Sequence, residues 1–420
     1  MSKELSASRR AFIASSIRSA VDLAFAHWEG APSGYDLDAE FTELLDATIG
    51  KGDRNHFALQ MAAFLAGLQN GHTWFWDVEA WKGFPDALGF RAEPLGSEWV
   101  ITRSRRPGIR VGQILERLNG RAPEDLYREL RKFVPASSES SSRRHFFAHG
   151  YLFPVRLSLQ VDGRKLSLVR LPGKGAPPEE PTSGKWLLPG ELGYIRIPSF
   201  GDPRHEERAI SLVQRFQRGK ALILDVRGNS GGSTPERLLN RLMDRPWREM
   251  AVSTPQRIGM ARAYAHLLEM FEKGEGKGLH LTRDRLAPLE VFRELDRGHM
   301  LFPGEVHLPE RGYYRGRLAV LVDGGCGSAC EDLLMPLKET QRATLVGSST
   351  NGSTGQPLLL EFKEGLRAGV GTKRCYFPDG RPFEGVGIAP DRDVRPTRED
   401  MLDGKDPALE VAKEIAASRT

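Results

Sequence analysis

The hydrophobic pattern changes its period along the chain. From Arg9 to about residue 86, apolar residues recur at helical spacing, first as Phe12, Ile13, Ile17, Val21 and Phe25. A second run, HFALQMAAFLAGLQN (His56–Asn70), ends at Asn70-Gly71, a helix stop, and the spacing predicts helices throughout this region. From Leu88 to Pro172 the pattern becomes strand-rich: LGF, EWVITRSR and GQILERLNG, a helix in APEDLYRELRKF, then VRLSLQVDGRKLSLVRL. Asp162-Gly163 in the last run predicts a tight hairpin. ASSESSSRR (Ala136–Arg144) reads as a polar insertion, and GKGAPPEEPTSGK (Gly173–Lys185) as a Pro/Gly-rich connector.

Beyond the connector, short apolar runs alternate with helical ones: LGYIRIPSF, HEERAISLVQRFQ, ALILDVRGNSGG with a helix from Thr234, LAVLVD with a helix after it, then ATLVG. Apolar strands separated by helices predict an α/β domain with a buried, partly parallel sheet. Residues from about 245 to 300 are charged and mostly helical in pattern and read as an insertion, and PALEVAKEIAA reads as a closing amphipathic helix. The expectation is a multidomain α/β protein: a helical domain at 1–87, a β-rich domain at 88–175 and an α/β domain at 183–420.

Composition narrows the function. The net charge is only +5 over 420 residues and the basic residues are spread out. Without a basic face or stripe, nucleic acid is not an expected partner. Cys326, Cys330 and Cys375 are too few, and odd in number, for a disulfide framework. A zinc site at Cys326 and Cys330 would need further ligands that the neighbouring sequence does not offer, so no metal is expected. Ser8-Arg9-Arg10-Ala11-Phe12-Ile13 resembles a twin-arginine export signal, but Arg18 and Asp22 interrupt the apolar stretch behind it. It reads instead as a helix of the folded domain. No segment reaches the ~18 apolar residues of a membrane span. The expected location is the cytoplasm, and homo-oligomerisation stays open.

Candidate chemistry centres on GGCGSACEDLL (Gly324–Leu334), where a strand runs through small residues into a helix carrying Ser328 at its start. Such a serine is either a helix cap or a nucleophile. The Gly-rich turn RGNSGG, with Gly231 and Gly232, permits positive φ and close backbone approach to a ligand, and it has neither P-loop nor Rossmann spacing. A serine nucleophile needs a base, and spacing does not choose among Lys338 and ten histidines.

Taken together and in order, these blocks resemble peptidase family S41, which includes the tail-specific (C-terminal processing) and tricorn proteases. The matching blocks are NGHTW, LGYIRIPSF, ALILDVRGNSGG, LAVLVDGGCGSACED, RATLVGSSTNGSTGQP and FPDGRPFEGVGIAPDRDV. The resemblance implies a catalytic α/β domain of the ClpP/crotonase-like kind and a Ser328 nucleophile. In the tail-specific branch the base is a lysine in a GEKTFGKG-like segment, and Ser349 is read at its position here. The tricorn-like branch implies His72 as base and Glu384 as its orienting carboxylate. Its tetrad has a further serine before the histidine, where this chain has Gly71, so the fourth member is missing or replaced, with Ser349 a candidate to support Glu384.

The resemblance also implies an oxyanion hole from the amides of Ala329 and Gly231, with Gly232 as support. Tricorn proteases carry an acidic residue after the nucleophile, and Ala329 lacks that charge, so their preference for basic side chains is not carried over. Leu88–Pro172 resembles a PDZ module, with Leu88-Gly89-Phe90 at the carboxylate-binding loop. The function so implied is a cofactor-free serine endopeptidase acting on peptides or on protein C-terminal regions. The alternatives are a binding protein on the same scaffold, as in the retinoid-binding repeats that resemble this family, and a small-substrate esterase. Cys330 is a lesser candidate nucleophile; Trp74 and Trp76 read as packing residues.

Overall fold

A computed structural model of the chain describes residues 4–81, 87–171, 180–255 and 299–417. They form two compact units, neither continuous in sequence. The first gathers Met1–Pro178, Pro357–Gly371 and Pro396–Lys405; the second gathers Glu179–Gln356, Thr372–Arg395 and Asp406–Thr420. Much of the connector read at 173–185 lies outside the described residues, and so do residues 256–298 of the insertion. The described ends of that insertion are strands, Ala251–Pro255 and His299–Phe302, paired antiparallel.

In the first unit, helices Ala7–Ala24, Leu37–Thr48 and Arg54–Ala66 share a core with a three-stranded antiparallel sheet. That sheet corrects the all-helical expectation for the N-terminal region. Trp74–Asp77 is a strand that pairs with Leu366–Gly371, which pairs in turn with Pro357–Phe362. The partner strands come from late in the chain, so four residues of WFWD carried no local sign of them. Asp77 points inward and is met by Arg54 at 2.7 Å, both side chains being buried. Trp76 packs edge-on against Trp81 and Tyr151, as its reading as a packing residue implied. The Arg9-Arg10 pair is used by this fold. Arg10 is buried and donates to the carbonyls of Thr48, Lys51 and Gly52, which closes the C-terminal end of the second helix. Arg9 pairs with Glu364.

The strand-rich segment of the same unit has its own core, built on Trp99, Tyr127, Phe146, Phe147 and Phe153. Phe90–Leu95 pairs with Glu98–Ser104, and Leu115–Leu118, Arg156–Val161 and Arg164–Val169 form an antiparallel sheet. The hairpin at Asp162-Gly163 is present, with φ of 44° and 72° at those residues. Two consecutive positive φ values suit this dipeptide and few others. The serine-rich run departs from the polar-insertion reading: Ser138 caps a helix, Glu139–His145, whose Ser141 and Ser142 are buried. Arg143 on that helix makes a two-pronged contact with Glu124.

The second unit is built on a six-stranded sheet in the order Arg392–Asp393, Thr344–Gly347, Arg317–Val322, Ala221–Asp225, Leu192–Arg196, Ser183–Leu188. All neighbours are parallel except the last pair. Ala221–Asp225 and the last five residues of Arg317–Val322 are buried, which is why these strands read as unbroken apolar runs. Helices Pro203–Arg215, Glu236–Leu242 and Ala329–Glu339 contribute to one core, and Pro407–Ala417 packs Ala408, Ala412 and Ala416 into a second.

Candidate active site

Three neighbouring parallel strands, Ala221–Asp225, Arg317–Val322 and Thr344–Gly347, end in register: Leu321 lies opposite Asp225 and Val322 opposite Gly347. Three turns leave their carboxyl ends side by side, carrying Gly231, Ser328 and Ser353. The carboxyl ends of parallel strands are where open α/β sheets gather ligand-binding loops.

The Ser328 turn is clamped by its neighbours on consecutive residues. Asn351 N–H donates to Cys326 O (2.9 Å), Gly327 N–H to Asn229 O (3.0 Å) and Ser328 N–H to Ser353 O (2.9 Å). So held, Ser328 takes φ 52° and ψ −127° at the start of helix Ala329–Glu339, and its side chain makes no capping bond. The capping residues Ser6, Asp36, Asp53, Ser138, Asp202 and Thr397 all have extended backbones and accept from a helix amide. Ser328 is therefore no ordinary cap. A non-glycine residue in such a conformation costs about 1–3 kcal/mol and persists only where the surroundings enforce it. The half-buried serine sits at the positive end of the helix dipole, where the Ala329 N–H belongs to the first turn and has no carbonyl of its own helix to meet.

Gly231 presses against this turn. A Cβ on Gly231 would lie 2.6 Å from Ser328 Cβ and 2.8 Å from Ala329 N, and φ is +100°. Both the contact and the torsion require glycine. Gly231 N–H donates to Asn229 Oδ1 (2.9 Å), while Asn229 Nδ2 donates to Ile197 O (3.2 Å). The amide expected to serve an oxyanion thus has a side-chain partner in this structure. Gly232 forms a parallel bridge with Phe200.

Glu384 is buried, and its Oε1 accepts from Ser353 Oγ at 2.9 Å. The hydroxyl on this carboxylate belongs to Ser353 rather than to Ser349, which corrects the expectation. The segment GEKTFGKG holds two lysines; laid along the chain from Gly347, the first falls on Ser349 and the second on Ser353. That second match was the signal to follow. Ser353 N–H donates to Glu331 Oε2 (3.1 Å), and Glu331 Oε1 accepts from Gly352 N–H (2.7 Å) and Thr350 Oγ1. Burial pushes the Glu331 carboxyl up to about 8; these donors oppose the shift and the Glu384 charge adds to it. Glu331 read only as a first-turn acid in the sequence.

His72 lies in the first unit, half-buried just before the strand Trp74–Asp77, and Ser328, Gly231 and Glu384 lie in the second. The turn around His72 is shaped by buried Asn70, whose Oδ1 accepts from His72 N–H (3.1 Å) and Thr73 Oγ1 (2.9 Å). Gly71 N–H donates to Ser137 Oγ at 2.9 Å. Cys330 is fully buried and its thiol is pushed up by burial, which removes it as a nucleophile. Among the described residues no group of three or more His, Cys, Asp or Glu side chains is placed to hold a metal ion. No helix among them is long and apolar enough to cross a membrane.

Comparison with known proteins accords with this architecture. Residues 191–394 match the model of peptidase family S41. A carboxyl-terminal-processing protease of Synechocystis is 29% identical over 212 residues, covering 49% of this chain and 39% of that protein. A carboxyl-terminal-processing peptidase of the Arabidopsis thaliana chloroplast is 25% identical over 240 residues, 56% of this chain and 36% of that protein. The chain thus spans well under half the length of these curated relatives. Among solved structures, mature CPAF superposes with a TM-score of 0.69 at 18% identity, covering 98% of this chain and 96% of that one. The photosystem II D1 C-terminal processing protease gives 0.52 at 18% identity, covering 97% of each chain. These likenesses establish the fold, and the matched segment contains Gly231, Ser328, Ser353 and Glu384. Through residues 191–394, just under half of its length, the chain is similar to peptidase family S41.

Proposed function

We propose that the chain is a serine peptidase working through a Ser328–His72–Glu384 acyl-enzyme mechanism. Ser328 Oγ attacks a peptide carbonyl as His72 takes its proton, and Glu384 holds the imidazole in the useful tautomer. The amides of Ala329 and Gly231 receive the oxyanion, the Gly231 amide turning from Asn229 or sharing its bond. His72 returns the proton to the leaving amine, and water then hydrolyses the ester. The substrate is a polypeptide; the names of the curated relatives favour its C-terminal region.

The observation that carries this reading is the backbone of Ser328, φ 52° and ψ −127° with no capping bond, beside a glycine that nothing larger could replace. Hydrolysis of casein, of a peptide with a free C-terminus and of a p-nitrophenyl ester tests it, in the wild type and in Ser328→Ala and His72→Ala. Peptide cleavage by the wild type and loss in both variants is the expected result. Ester cleavage without peptide cleavage would make the chain an esterase, and neither activity would make it a binding protein.

A further inference from the structure

Ser353 forms hydrogen bonds with three residues of the site in the second unit: Ser328, Glu331 and Glu384. Its carbonyl accepts from Ser328 N–H, its N–H donates to Glu331 and its hydroxyl donates to Glu384. It is itself almost fully buried. A backbone alone would supply the first two bonds, so any residue could make them. The third needs a hydroxyl, placed on the carboxylate that the peptidase reading assigns to the base.

We propose that Ser353 is a positioning residue of this site, its hydroxyl fixing Glu384 while its main chain locks the Ser328 turn and the Glu331 carboxylate in the same frame. The proposal rests on the peptidase reading. The Ser353 hydroxyl reaches Glu384 from the strand-end turn after Gly347, and a buried carboxylate needs a donor. The geometry explains why one is needed. Glu331 and Glu384 are both buried, and Ser353 donates to each, through its N–H to Glu331 and its hydroxyl to Glu384. A buried carboxylate is favoured in its ionised form, and kept in one rotamer, by the donors that bond it. The Ser353 hydroxyl donates to Glu384, whereas Thr350 Oγ1 and the amides of Gly352 and Ser353 serve Glu331. Each acid thus has its own donors, and Ser353 is common to both sets.

The test compares Ser353→Ala and Ser353→Thr with the wild type. Peptide hydrolysis and the rate of fluorophosphonate labelling are measured across pH 5–9, with thermal melts over the same range. Ser353→Ala is expected to lower kcat by about ten- to a hundredfold, with KM changed less than about twofold, since the hydroxyl does not face substrate. The acid limb of its labelling profile should move to higher pH, because a donor to the ionised carboxylate is gone. Its melting deficit should widen as pH rises. Ser353→Thr keeps the hydroxyl and should restore the limb to its wild-type position. A Ser353→Ala protein with wild-type kcat and an unmoved limb overturns the proposal, as does a rate loss equal at every pH, which marks a purely structural role. If the wild type itself takes no label, the peptidase reading has failed, and that is visible before any Ser353 variant is read.

Discussion

A Cβ placed on Gly231 would stand 2.6 Å from Ser328 Cβ, 2.7 Å from Gly327 O and 2.8 Å from Ala329 N. Two turns from neighbouring strands meet there with no room for a methyl group. The neighbours are main chain or Cβ and have no flexible end to move aside. Gly231→Ala is therefore expected to destabilise the protein by about 1–3 kcal/mol and to reduce peptide hydrolysis at least ~100-fold through loss of an oxyanion donor's position. Thermal melts and steady-state kinetics on the purified variant check both.

Ser328→Gly separates strain from chemistry. Glycine adopts φ 52° and ψ −127° without the penalty a serine carries. The variant should lose all hydrolysis yet gain about 1 kcal/mol of stability, the strain relieved less the entropy cost of glycine. A chemical-denaturation midpoint at or below that of the wild type would show that Ser328 is unstrained.

Asn229 ties the glycine turn to its surroundings through Gly231 N–H and Ile197 O. Asn229→Ala leaves a buried amide and a buried carbonyl unpaired, at a cost of about 1–3 kcal/mol. Denaturation should show that loss. An equally stable variant would mean the turn finds other partners.

Burial raises the Glu331 carboxyl from its ordinary 4.5 to about 8. In the unfolded chain the group ionises near 4.5, so between these values the folded state holds a proton that the unfolded state has released. The linkage slope is then negative: this group's contribution is fully present below about 4.5 and is lost as pH rises to about 8. The slope reaches up to about 1.4 kcal/mol per pH unit. Stability measured from pH 5 to 8 should decline more steeply in the wild type than in Glu331→Gln. Parallel curves would contradict the assignment.

What the sequence made legible follows from the range of the interactions. The apolar runs at Ala221–Asp225 and Arg317–Val322 are buried parallel strands, and Asp162-Gly163 is the hairpin its local torsions demand. Ser328 and Gly231 were found because a strand-to-helix turn and a Gly-rich turn carry their own short-range signatures. Trp74–Asp77 was missed because its pairing with Leu366–Gly371 is long-range. Ser353 carries a local mark, the second lysine position of the GEKTFGKG-like segment, but the role of its hydroxyl depends on Glu384, 31 residues further on. Glu331 looked like an acid favouring a helix start; only its burial reveals the shared network. The Ala136–Arg144 run looked solvated because composition does not show that Ser141 and Ser142 face inward.

The most direct measurement is the intact mass of the protein after treatment with a fluorophosphonate, followed by mapping of the adduct. One adduct on Ser328, absent from Ser328→Ala and formed far more slowly in His72→Ala, is the predicted result. No adduct on the wild type, or an adduct that survives Ser328→Ala, would contradict the assignment of Ser328 as nucleophile.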